Sequence, residues 1–143
     1  MAKLIFVDLP VGDLPRASAF YEAIGAVRNP QFSDHTLSCK AFSDTIYSVL
    51  KTHDKYRQFT TKTIADARAT GVVLICISAD SGDEVDQLVG KAKAAGGTFD
   101  PTLQQDYAFV YGRSFEDPDD HIWEVMLMDV EAAAKARSAT VAA

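Results

Sequence analysis

The chain has 143 residues, enough for one compact domain with one pocket but not for two independent cores. Hydrophobic residues make up 48% and charged residues 24%, proportions that exclude a disordered or fibrous chain. Twenty Asp and Glu against fourteen Lys and Arg leave a net charge of -6, which opposes binding to nucleic acid or to anionic lipid.

Residues 3–11 alternate with a period of two and predict a strand. Asp13 then stands where an N-cap belongs, Pro15 is tolerated in a first turn, and Leu14, Ala17, Phe20, Tyr21 and Ile24 recur at helical spacing up to Gly25. Residues 26–32, 36–42 and 45–50 predict three short strands, separated by turn formers at Ser33 and Asp34 and at Ser43 and Asp44. A polar linker follows, with a brief helix expected to start at Thr60 or Thr61. Residues 72–79 predict the next strand, and Ser81 caps a helix marked by Val85, Leu88, Val89, Ala92 and Ala95 and stopped by Gly96 and Gly97. Strands around Thr98, at 108–114 and at 122–128 complete the pattern. The tail, residues 130–143, favours helix by composition but offers little apolar face, so it is expected to be helical or partly disordered.

The second half repeats the first. A shift of 68 places Phe6 on Leu74, Asp8 on Cys76, Leu9 on Ile77 and Phe20 on Leu88, and a shift of 76 places Ser48 on Glu124. The reading is an α+β fold of two tandem βαβββ modules, about 3–52 and 72–129 with linker 53–71, in one domain of residues 1–129. Neither module can bury both faces of its small sheet alone, so the pair forms a curved mixed sheet with helices outside and a cleft inside.

No apolar stretch approaches the roughly 20 residues that span a bilayer, and the opening MAKLIFVDLP has no secretory signal core, so a cytoplasmic location without a membrane partner is expected. Cys39 and Cys76 lie in apolar alternating stretches with no CxxC pair, and are expected to be buried free thiols.

Two segments, LPVGDLPRASAFYEAIG and GRSFEDPDDHIWEVM, resemble the vicinal oxygen chelate superfamily, also called the glyoxalase, bleomycin resistance and dioxygenase superfamily. The resemblance runs from Lys3 to about Asp129 and is closest to small bacterial lactoylglutathione lyase-like proteins. It implies the paired-module fold and, in members with metal chemistry, a divalent ion held by one His or Glu from each of four strands. Carried onto this chain, those positions are Phe6, Ser48, Leu74 and Glu124, of which only Glu124 retains a carboxylate. One carboxylate and one hydroxyl do not make a catalytic zinc or magnesium site, so no metal and no other cofactor is expected. The alternative is a displaced divalent ion shared by Asp8 and Glu124.

Alternation assigns Leu4, Phe6, Asp8, Ile46, Ser48, Leu50, Leu74, Cys76, Ser78, Ile122, Glu124 and Met126 to the cleft wall, and Val7, Leu9, Tyr47, Ile75, Ile77, Trp123 and Val125 to the helix side. A mostly apolar wall suits a small organic ligand. Phe6, Ser48, Leu74, Cys76 and Met126 are its candidate contacts, with Tyr107, Tyr111 and Arg113 at the cleft mouth. Asp8 and Glu124 are the candidate catalytic groups, because two carboxylates beside an apolar wall repel and prepare a general base or acid; each instead bonding a neighbouring backbone group or Arg is the alternative. An ion pair of Arg113 with Glu116 or Asp117 is the alternative for Arg113. His121 is expected to settle its turn, and His35 and His53 to be solvated.

Two functions follow. One is a metal-free small-molecule-binding protein like the drug-binding members of the superfamily; the other is a lactoylglutathione lyase-like enzyme with Glu124 or Asp8 abstracting a proton next to a carbonyl. A ring-cleaving dioxygenase is weaker, since its ferrous iron needs two His and a carboxylate. The resemblance also implies a homodimer.

Overall fold

The repeat in the sequence becomes two mixed sheets of the same plan. The computed structural model describes residues 2–142, with side chains as far as residue 138. Strands β1 (Ile5–Val11), β2 (Val27–Asn29), β3 (Leu37–Ala41) and β4 (Ile46–Thr52) form the first sheet in the order β1-β4-β3-β2. Strands β5 (Ile75–Ser78), β6 (Thr98–Phe99), β8 (Val110–Glu116) and β9 (Ile122–Met128) form the second in the order β5-β9-β8-β6, with β7 (Gln105–Tyr107) also beside β8. In each sheet the module's first and last strands run parallel, β1 with β4 and β5 with β9, and the remaining pairs are antiparallel. A parallel neighbour requires a crossover, and α1 (Leu14–Ala23) and α3 (Gly82–Ala94) begin those crossovers.

Local chemistry fixes both helices. Asp13 Oδ1 accepts the Arg16 amide at 3.1 Å, and Ser81 Oγ accepts the Glu84 amide at 3.1 Å while Glu84 Oε2 accepts the Asp80 amide at 2.7 Å. Both helices end on a glycine in the left-handed region, Gly25 at φ 105 and Gly96 at φ 98. Pro10 interrupts the donors of β1 without cost to a neighbour because β1 is an edge strand.

Several predicted elements shift. Residues 30–32 form a 3-10 turn rather than strand, led by Pro30, which has no amide to give a ladder. The expected helix at Thr60 is absent; a single turn, α2 (His53–Tyr56), instead continues directly from β4 under the Thr52 side-chain cap. Residues 72–74 lie exposed ahead of β5 and outside its ladder. Strand β7 was hidden in a polar stretch, and the chain after β9 forms α4 (Val130–Ala142).

The two modules share one core. Leu9, Val11, Leu14, Phe20, Tyr21 and Leu50 of the first join Val85, Val89, Phe115, Trp123 and Val125 of the second in a single buried cluster. A polar seam runs through it: the Trp123 indole donates to the Tyr21 hydroxyl at 2.9 Å, and that hydroxyl donates to Asp117 Oδ2 at 2.6 Å. Asp117 Oδ1 accepts the amides of Asp119 and His121, both at 2.9 Å, which fixes the turn between β8 and β9. Burial pushes the Asp117 carboxyl up, and burial with the adjacent Asp117 pushes the Tyr21 hydroxyl well above its usual range. His121 does settle this turn, its Nε2 lying 2.8 Å from the Pro10 carbonyl of β1. Lys40 is fully buried beneath α1, where its ammonium meets Glu22 at 3.1 Å and Ser18 at 2.5 Å, and burial lowers its pKa.

Candidate functional site

Paired residues in a ladder point to the same side, so register decides which side chains face away from the helices. In the first sheet Phe6 pairs with Tyr47, Asp8 with Val49, and Leu9 with Leu50. The outer face therefore carries Phe6, whose ring stacks on Tyr47 at 4.8 Å, and Asp8, whose Oδ2 lies 3.2 Å from the Lys51 ammonium. That ammonium is almost wholly buried and also sits 3.5 Å from the centre of the Phe59 ring. Ser48 and Leu50, expected in the cleft wall, are instead fully buried on the helix side, and Tyr47, expected beneath the helix, faces outward. The cause is a one-residue slip in the repeat. Val49 beside Asp8 matches Glu124 beside Cys76, so the true offset between β4 and β9 is 75.

In the second sheet the expected faces hold for β5 and β9. Cys76 pairs with Glu124 and Ser78 with Met126 on the outer face, and Ser114 of β8 lies on the other side of Glu124. Glu124 Oε2 accepts from the Gln105 amide of β7 at 3.2 Å. Cys76 is exposed, not buried as expected, because β5 is an edge strand. Local desolvation and the Glu124 carboxylate push its thiol up, whereas Cys39 is buried as expected.

Tyr111 and Arg113 do not reach this face. Their ladder partners are Leu127 and Val125, which places them on the side of α3: the Tyr111 hydroxyl donates to Asp86 at 2.6 Å, and Arg113 stacks over the Tyr111 ring at 4.2 Å. Arg113 pairs with Asp106 of β7 at 3.0 Å, not with Glu116 or Asp117, since β7 is the neighbour that its side of β8 meets. Tyr107 is exposed and lines a separate small hollow of about 300 Å³ with Tyr111 and Leu127.

A cavity of about 600 Å³ opens between the two sheets under the linker. Asp8, Leu74, Ile75, Glu116 and Ile122 form its floor, and Tyr56 with linker residues from Thr60 to Val73 closes it. Of the expected site residues it gathers only Asp8 and Leu74; Phe6, Cys76, Glu124 and Met126 lie on the outer faces beyond its lining. Glu116 was missed as a site residue. It is half-buried and makes no side-chain hydrogen bond among the described residues, and burial, then Asp120 and Asp117, push its carboxyl up. Its parity on β8, the same as Ser114 opposite Glu124, is the sequence signal that could have found it.

The donor set does not match the metal of the superfamily. The outer positions offer Phe6 or Asp8, Tyr47 or Val49, Leu74 or Cys76, and Glu124. Asp8 and Glu124 stand on different sheets, each with its own partner, Lys51 and Gln105. Among the described residues no three His, Cys, Asp or Glu side chains cluster in a way that could hold a metal.

The comparisons agree with this architecture. The model of the Glyoxalase/Bleomycin resistance protein/Dioxygenase superfamily matches residues 3–125, and the chain belongs to that family. A hypothetical protein from S. aureus shares the fold at 24% identity and TM-score 0.73, over 89% of this chain and 94% of its own. A family enzyme from Burkholderia phytofirmans is similar at 22% identity and TM-score 0.69, over 87% and 98%. A genomically encoded fosfomycin resistance protein from Listeria monocytogenes matches at 20% identity and TM-score 0.64, over 91% and 94%. No curated protein matches the chain significantly. No helix among the described residues is long and apolar enough to cross a membrane.

Proposed function

We propose that this protein binds a small organic molecule in the cavity beneath the linker and does so without the divalent ion of the superfamily. The cavity carries the reading: about 600 Å³ falls in the range of small-ligand sites, and its wall is mainly apolar, with polar groups at Asp8, Tyr56 and Glu116 and, where the linker and the turn before β9 close it, at Lys62, Arg68, Asp120 and His121. Missing donors at Phe6 and Leu74 support a metal-free site. Thermal shift against a panel of small neutral and acidic aromatic compounds tests it. A binder present well above its Kd raises the melting temperature, and Leu74→Trp, at an exposed position, narrows the cavity and removes that rise. A panel without any stabilising compound, or a Leu74→Trp chain that binds equally well, overturns the proposal.

One observation favours a second reading, a lyase-like or isomerase-like enzyme. A carboxyl with a raised pKa and no hydrogen bond, on the wall of a cavity, is suited to proton transfer, and Glu116 meets that description. In this reading Glu116 abstracts the proton next to a carbonyl, and Glu124, engaged with Gln105, is secondary. Isomerisation of the methylglyoxal and glutathione hemithioacetal, assayed with and without added nickel or zinc, is expected to be absent under the binding reading. Turnover lost in Glu116→Gln but kept in Glu124→Gln would establish the enzyme.

The proposed active form acts inside the cell as a homodimer. The start of β1 and the chain leading into β5 are apolar and exposed, with Leu4, Ile5 and Phe6 51 to 55% accessible and Val72, Val73 and Leu74 57 to 85%. A second copy of the chain would cover these surfaces. Light scattering showing a monomer at micromolar concentration would refute it.

A further inference from the structure

We infer that the other side of the linker holds a second site, for a small molecule carrying more than one oxyanion group, phosphoryl or carboxylate. The two cavities share Lys62, Arg68 and His121 as a common wall, so Arg16 and Arg57, which line this cavity and not the apolar one, carry the test. A cavity of about 860 Å³ lies between residues 60–68 of the linker, the start of α1 and the turn between β8 and β9. Arg16, Arg57, Lys62 and Arg68 line it together with His53 and His121. Four permanent positive charges thus meet in one concavity of a chain whose net charge is -6, and a concave surface concentrates their field.

Three carboxylates also line the cavity and offset three of the four charges; each already holds a contact, although Asp119 Oδ2 is buried without a hydrogen-bond partner among the described residues. Asp66 Oδ1 accepts the Arg68 amide at 3.1 Å and shapes the linker turn; Asp119 Oδ1 accepts the Gly12 amide at 2.8 Å; Asp120 faces Arg68 at 3.5 Å. Three of the four cations, Arg16, Arg57 and Arg68, also face a carboxylate, but through exposed side chains. Lys62 and His53 have no side-chain hydrogen bond or ion pair among the described residues. Arg16 reaches Asp119 only at 3.6 Å with its side chain 54% exposed, and Arg57 pairs with Asp54, which is 96% exposed. Exposed pairs of this kind are worth little, so an incoming oxyanion displaces them readily. Guanidinium forks match the geometry of carboxylate and phosphate alike, and the volume exceeds what a single inorganic ion fills, which points to a multiply charged occupant.

Isothermal titration at fixed ionic strength, with pyrophosphate and with citrate as the two probes, tests the site. Saturable binding of at least one probe, one per chain, is expected, and the ratio of the two affinities distinguishes phosphoryl from carboxylate chemistry. The Arg16→Ala/Arg57→Ala double variant, at positions that do not line the apolar cavity, is expected to bind at least about tenfold more weakly. The Lys91→Ala/Lys93→Ala control, on the exposed side of α3, is expected to bind as the parent does and so to separate a site from general charge. No saturable binding of either probe up to about 10 mM, or equal weakening in the control, overturns the inference. Because Arg16 and Arg57 are exposed, both variants should melt where the parent melts, which melting curves verify before titration.

Discussion

On the helix side the apolar positions of the two modules correspond, Val7 with Ile75, Leu9 with Ile77 and Leu50 with Val125, all in or against the shared core, while Ser48 opposite Trp123 departs from the match. On the outer side they diverge. Asp8 stands beside Val49 and reaches Lys51, whereas Cys76 stands beside Glu124, which reaches Gln105. Apolar packing tolerates exchange of one aliphatic side chain for another of similar volume, so a duplicated core keeps its pattern. A polar group has value only with a particular partner at a particular distance, so nothing holds the two outer faces alike.

If the modules are halves of one cooperative unit, removing the largest side chain between them should cost the most. Trp123 is fully buried and touches Tyr21, Phe42 and Phe115. Trp123→Ala is expected to lose about 3–5 kcal/mol in urea denaturation, with a single transition retained. Two separated transitions, or a loss below about 1 kcal/mol, would mean that the modules do not stabilise each other. Tyr21→Phe is the subtler break. It removes one oxygen and leaves the Asp117 carboxyl and the Trp123 indole without that partner inside the core. The expected cost is about 1–3 kcal/mol, larger than a surface hydroxyl would carry.

How far the sequence reveals this contrast depends on the kind of position. Periodicity in residues 3–11 and 122–128 identified the correct helix-facing side of β1 and β9, because alternating burial leaves a visible period of two. It failed in β4, where Ser48 is polar but buried and Lys51 is charged but buried, so the hydrophobic pattern no longer reports the face. Only the neighbouring strand fixes that register. The cavity was illegible for a different reason. Its cover is a threonine-rich and alanine-rich loop without periodicity, and Glu116 gains its environment from residues brought to it by a turn and by that loop.

Acid titration sharpens the comparison between the polar seam and the surface. Glu116 and Asp117 have folded pKa values raised above the ordinary carboxylate range near about 4. Just above that range the folded chain binds more protons than the unfolded one, so this contribution favours the fold at lower pH and is lost as pH rises through the raised values. Asp34, held down to about 2 chiefly by its hydrogen bond from Thr36, has the opposite sign: its contribution is present above the ordinary range and fades as pH falls through about 2. It is ionised in both states across the first window and adds no slope there. Melting temperature is therefore expected to decline as pH rises from the ordinary carboxylate range through the raised values, and Glu116→Gln should flatten part of that decline. Parallel profiles for parent and variant would show that Glu116 is not desolvated.

The smallest effect is the most discriminating test of the corrected register. Ser48 Oγ is buried on the helix side with no hydrogen-bond partner among the described residues, an arrangement that gains nothing from the hydroxyl. Ser48→Ala removes one polar atom from between its ladder partners Val7 and Lys40 while keeping the backbone and nearly the same volume. Stability is expected to stay within about 0.5 kcal/mol of the parent or to rise, and binding of any cavity ligand should be unchanged, because a side chain beneath α1 cannot touch it. A loss of ligand affinity in this variant would return Ser48 to the outer face, and with it an offset of 76 and a different set of residues opposite Asp8.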